Sequence, residues 1–67
     1  MDKSVIAQAK ARGATHMQAS DDDRYFAAFR PAQVGGILRC TIYILDNQLF
    51  IGPWIRCWEL PSNAFPI

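Results

Sequence analysis

The pattern of apolar and polar positions divides the chain into an early helical stretch and a long extended remainder. Ala7, Gln8, Ala9, Lys10, Ala11 and Arg12 are good helix formers with no β-branched run among them, which predicts a helix over about residues 3–12. Asp2 or Ser4 can cap its N-terminus by accepting from unpaired backbone N–H groups. Lys10 and Arg12 fall in the last turn, where positive charge suits the helix dipole, and Gly13 fits the left-handed residue that ends a helix. The apolar face is thin (Val5, Ile6, Ala9), so this helix must pack on something to persist.

After Gly13 the spacing becomes extended. Residues 15–19 and 24–30 read as strands on either side of Ser20-Asp21-Asp22-Asp23, whose side chains bond nearby backbone N–H groups and favour a turn. A loop of those four residues sets Met17 opposite Phe26 and Gln18 opposite Tyr25. Arg30-Pro31 closes the unit, and Gly35-Gly36 makes a second break. The strongest local signal is a strand at 37–45, the pair Asp46-Asn47, and a strand at 48–52. Both residues of that pair tolerate positive φ, as a type I′ hairpin requires. In this register Ile44 faces Leu49, Ile42 faces Ile51, and Cys40 and Leu38 continue the same face. The other face carries Tyr43 against Phe50, with Ile37, Arg39, Thr41 and Leu45. Both faces are largely apolar, which suits a hairpin covered on both sides.

Gly52-Pro53 is expected to break the ladder, and residues 54–60 to form a final strand. Trp54, Arg56, Trp58 and Leu60 would share its one face, although the four-residue spacing of the tryptophans also fits a helical turn. A tail follows at 61–67, bracketed by Pro61 and Pro66. The predicted architecture is α+β: one domain over 1–67, with a short N-terminal helix packed on a four- to five-stranded antiparallel sheet.

Size sharpens that picture. A chain of 67 residues buries only about 60% of the surface its unfolded form exposes, so a monomer is marginal. A composition of 51% apolar and 19% charged residues is nevertheless that of a folded protein. Two-domain enzymes, repeat arrays and large enclosed active sites are excluded by length. The net charge of +1 demands neither a phosphate backbone nor an anionic membrane as partner. Val5-Ile6-Ala7 is followed at once by Gln8, Lys10 and Arg12, unlike a signal peptide, and no apolar run approaches the ~20 residues of a membrane helix. A cytoplasmic protein with no membrane contact is expected.

No pattern names a reaction, a metal or a cofactor. Cys40, Cys57 and His16 are too few for a four-ligand zinc site, and with no export signal the thiols are expected to be reduced. Asp21-Asp22-Asp23 lacks the alternation and glycine of a calcium loop, and Ala32 stands where the distant glutamate would be. The triplet reads as a solvated hairpin tip, available for electrostatic contact with a basic partner. His16 has no nucleophile placed beside it by any signature. Arg24-Tyr25-Phe26 and Trp54-Ile55-Arg56-Cys57-Trp58 have the Arg–aromatic character of single-strand nucleic-acid binders. However, Asp2, Asp21, Asp22 and Asp23 share the first half of the chain with Arg12, Arg24 and Arg30, so no basic stripe emerges. Arg and Trp are equally the residues of protein interfaces. Tyr43, Phe50, Trp54, Arg56 and Trp58 are more aromatic surface than one short helix covers, and they are the candidate protein interface.

The stretch Ala9 to His16, ending in Gly13-Ala14-Thr15-His16 and followed by a polar turn and Arg24-Tyr25-Phe26, resembles small proteins encoded by phages and prophages. Trp54-Ile55-Arg56-Cys57-Trp58 is similar in character to their tryptophan-bearing C-terminal segments. That resemblance covers less than half of the chain. It implies a protein of the host cytoplasm that binds a host protein, as an inhibitor of a host enzyme or defence complex. The functional expectation is a non-enzymatic, homodimeric protein-binding module. A small single-stranded nucleic-acid-binding domain is the alternative.

Overall fold

The computed structural model describes residues 2–67. Helix α1 (Lys3–Ala11) is followed by strands β1 (His16–Ala19), β2 (Tyr25–Pro31), β3 (Ile37–Leu45), β4 (Gln48–Cys57) and β5 (Phe65–Pro66). One antiparallel sheet orders them β4-β3-β2-β1-β5, which makes the fold α+β.

The helix ends are built as the residues dictate. Asp2 holds extended backbone angles and accepts at 2.9 Å from the Ser4 N–H. At the other end Gly13 sits at φ +86° and donates to the Lys10 carbonyl, while Ala14 donates to the Ala9 carbonyl. That pair of bonds is a Schellman stop, and it turns the chain directly into β1. Val5 and Ala9 of α1 are fully buried against Met17, Phe26, Ala28, Cys40 and Ile42, which the strand register places on one face of the sheet. Leu49, Ile51 and Trp54 extend that face along β4.

The Asp46-Asn47 hairpin forms as expected: both residues have positive φ (53° and 60°), and the pairs Ile44–Leu49, Ile42–Ile51 and Tyr43–Phe50 are all present. Three other expectations are corrected. Met17 pairs with Ala28 and Ala19 with Phe26, a shift of two residues from the expected β1–β2 register. Ser20 causes it, because it joins the ladder instead of the loop: its N–H donates to the Tyr25 carbonyl, and its hydroxyl accepts from the Tyr25 N–H. A two-residue shift leaves every side chain on its expected face.

Gly52-Pro53 does not end a strand. The pairs Ile42–Ile51 and Cys40–Trp54 leave Gly52 and Pro53 together opposite Thr41, as a β-bulge within the single strand β4. β4 is an edge strand, where a residue without an N–H is tolerated. The extended segment then ends at Cys57, not residue 60, and the helical turn through Trp54 to Trp58 does not form.

The tail supplies the second cover. β4 and β5 lie at opposite edges, so residues 58–64 must cross the sheet, and they do so on the face away from α1. Asn63 accepts from the Gln18 side chain at 2.8 Å, and Leu60 lines a small cavity with His16, Phe29 and Ile37. Phe29 is 0% exposed beneath this strap. Ile67 closes the far edge by donating to the Thr15 carbonyl.

Candidate functional site

The strap covers only part of its face. Beyond it, next to the two hairpin tips, Tyr25, Tyr43 and Phe50 stand side by side on β2, β3 and β4 because their backbones are direct cross-strand neighbours. The two tyrosine rings are 5.9 Å apart between centroids and inclined by 24°. Tyr43 and Phe50 are 5.2 Å apart and inclined by 14°. Stacking of this kind fixes the rings relative to one another. Tyr25 is 59% exposed and Leu45 55%, so the row opens to solvent as an apolar surface.

The five residues expected to form one interface are distributed over three places. Tyr43 and Phe50 belong to the open row. Trp54 and Arg56 lie on the helix-covered face, opposite Cys40 and Leu38 respectively. Trp58 follows β4 at the start of the strap and is 98% exposed. Tyr25, expected only as part of the Arg24-Tyr25-Phe26 cluster of the nucleic-acid alternative, joins the row because the β2–β3 register across the loop 32–36 sets it opposite Tyr43. Trp58→Ala is expected to leave the stability within about 0.5 kcal/mol of the parent in urea denaturation, since the ring is nearly free of protein contact.

Trp54 is a packed ring and no free platform. The Arg30 guanidinium lies 4.5 Å from its centroid, and the same group donates at 3.1 Å to the Arg12 carbonyl at the end of α1. Arg56 donates at 3.1 Å to the Gly35 carbonyl. Arg30 and Arg56 line an open cleft of about 530 Å³ with Pro31, Leu38 and the following loop. Folding thus sorts most of the charges that are interleaved in sequence, leaving Arg39 mid-sheet on the face of the row, beside Tyr25. The β1–β2 and β3–β4 turns lie at one end of the sheet and carry Asp21, Asp22, Asp23 and Asp46, with Arg24. Arg12, Arg30 and Arg56 gather at the other end, with Glu59 following β4 there.

The acidic tip is organised by its own hydrogen bonds. Ser20 donates to the Asp22 carboxylate at 2.6 Å, and the Arg24 N–H donates to it at 3.1 Å. These bonds, the Ser20 hydroxyl first and the Arg24 N–H second, hold the Asp22 carboxyl below its ordinary value of 3.8. A carboxyl depressed in the folded state stabilises the fold above its unfolded value, and that contribution disappears as the pH falls through the folded value. Asp22→Ala is therefore expected to flatten the loss of stability below about pH 4 in acid titration of the melting temperature. An unchanged acid limb would contradict this.

The remaining candidates are held apart. Cys40 is buried on the helix-covered face with its Sγ donating to the Gly52 carbonyl at 3.1 Å, while Cys57 lies on the other face. Burial pushes the Cys40 thiol up, with Arg12, Arg30 and Arg39 acting weakly in the other direction. Both cysteines are free, and their opposite faces rule out a bridge between them without rearrangement. His16 Nδ1 is 2.9 Å from the Thr15 hydroxyl. Among the described residues, no three His, Cys, Asp or Glu side chains converge as metal ligands, and no helix is long and apolar enough to cross a membrane. No protein-family model, curated protein or solved structure matches this chain.

Proposed function

We propose that this chain is a non-enzymatic protein-binding module that acts as a homodimer and meets its target through the open Tyr25–Tyr43–Phe50 row. The observation that carries this reading is the position of the row, at the acidic end of the molecule. A single-strand nucleic-acid binder needs aromatic rings interleaved with cations, so that bases stack while phosphates are neutralised. Here Tyr25, Tyr43 and Phe50 stand at the end that carries Asp21, Asp22, Asp23 and Asp46, with Arg24 and Arg39 near Tyr25. At the arginine end Trp54 is covered by Arg30, and Trp58 is free beside Arg56. An apolar row rimmed by carboxylates suits a protein surface with an apolar centre and basic margins. The setting implied by the resemblance is a phage- or prophage-borne protein in the host cytoplasm, acting on a host protein or defence complex.

Tyr25→Ala removes one end of the row and is expected to cost only about 1 kcal/mol of stability. In affinity capture from host lysate, the parent chain should retain a stoichiometric protein that this variant loses. A parent chain that retains none, at concentrations where it is folded, contradicts the reading.

The gathering of Arg12, Arg30 and Arg56 at one end favours the nucleic-acid alternative as a second reading. It predicts binding to single strands at low salt that weakens steeply as salt rises, through counterion release, and that Arg30→Ala/Arg56→Ala diminishes. No binding at low salt eliminates it.

A further inference from the structure

The outer side of β4 is an unpaired sheet edge ten residues long, and its backbone and side chains are arranged for a second copy of itself. The Ile44 N–H donates to the Arg24 carbonyl, so the backbone of Ile44 faces β2 and not β4. Antiparallel strands alternate the direction of their backbone groups. Along β3, the backbones of Ile44, Ile42, Cys40 and Leu38 therefore all face β2, and the residues opposite them on β4 face outward. Those residues are Leu49, Ile51, Trp54 and Arg56. All four have an N–H to donate. The bulge has moved Pro53, which has none, out of the outward set.

We propose that two copies join antiparallel along β4, with Ile51 opposite the partner's Trp54, Leu49 opposite the partner's Arg56, and Phe50 opposite the partner's Ile55. This deepens the homodimer reading above and rests on it. The two-fold axis passes between Gly52 and Pro53, perpendicular to the sheet. In that register alone each bulge meets the other bulge, and the regular ladders on both sides stay in phase. Opposed residues of an antiparallel pair share a face, so both helices lie on the same side of one continuous sheet, two copies of the five-stranded one.

The side chains support the same register. Ile55 is 62% exposed and Phe50 is also open, two large apolar residues on an edge that natural sheets usually protect with lysine. Each packs against the other across the junction, an aromatic against a β-branched residue, which leaves the Tyr25 and Tyr43 end of the row for the target. Ile51 against the partner's Trp54 repeats the pairing on the helix-covered face. The antiparallel arrangement also sets the acidic end of each copy beside the basic end of the other.

Phe50→Cys/Ile55→Cys in a Cys57→Ser background tests the register under mild air oxidation. The double variant should form a covalent dimer. Neither single variant should, because equivalent positions of the two copies are roughly 16 Å apart at about 3.3 Å per residue. Circular dichroism and light scattering, run on the reduced forms, report fold and mass. A folded, dimeric double variant that does not cross-link overturns this edge and leaves self-association standing. A folded chain of monomer mass overturns both. Ile55→Lys, at an exposed position, should weaken the dimer on the order of tenfold or more with the fold intact. An unchanged dissociation constant counts against the edge.

Discussion

Phe29→Ala is expected to destabilise the fold by about 3–5 kcal/mol. The ring is 0% exposed, and what buries it is the crossing strap, since α1 lies on the other face. Removing the ring leaves a cavity between the sheet and a segment that has no regular structure to collapse with it. A domain of 67 residues has a total stability of roughly 3–10 kcal/mol at typical values per residue. The variant should therefore be largely unfolded without denaturant, as read by urea titration and circular dichroism. A loss below about 1 kcal/mol would mean that the strap does not enclose Phe29.

Truncation after Cys57 is expected to have a still larger effect. It removes Leu60 from above Phe29, Ile67 from the core cluster, and β5 from the edge of β1. Both faces of the sheet are apolar near its centre, and α1 covers only one. Without the strap the chain should show no cooperative thermal transition and should expose apolar surface to a hydrophobic dye. Leu60→Ala is the milder control: the side chain is half-buried, so a loss of about 1–2 kcal/mol with cooperativity retained is expected. A truncated chain that melts cooperatively near the parent temperature would refute the role given to the strap.

These two expectations concern the part of the fold that the sequence did not reveal. The hairpin at Asp46-Asn47 was legible because its signal is local: two residues that accept positive φ, flanked by alternating β-branched and aromatic positions. The helix was legible for the same reason, from Asp2 to Gly13. The β1–β2 register was not, because Ser20 serves equally as a loop residue or as the last rung, and only its bonds to Tyr25 decide. Gly52-Pro53 is a break in most strands, and it becomes a bulge here because β4 is an edge, a property of topology. The strap has no periodicity to announce it. Its path is set by β5 pairing with β1, which lies far earlier in the chain.

The candidate site was partly legible for a related reason. Alternation placed Tyr43 with Phe50 and Trp54 with Arg56, as observed, but whether two strand segments present the same face depends on the whole sheet. Tyr25 joins the row through Tyr43, a partner on another strand across the loop 32–36. Charge misled most. Halving the sequence mixes arginines with aspartates, whereas antiparallel strands return every second turn to the same end and so sort them in space. That sorting sets the Tyr25–Tyr43–Phe50 row at the end that carries four of the aspartates, and it is the physical basis for preferring a protein target to a nucleic acid.

Self-association is expected above all because a short chain with an apolar edge and an open aromatic row exposes more apolar surface than its own elements cover. Multi-angle light scattering across a micromolar concentration series, with both thiols kept reduced, tests it most directly. The expected mass is that of two chains, falling toward that of one only on dilution. A constant mass of one 67-residue chain throughout would contradict it.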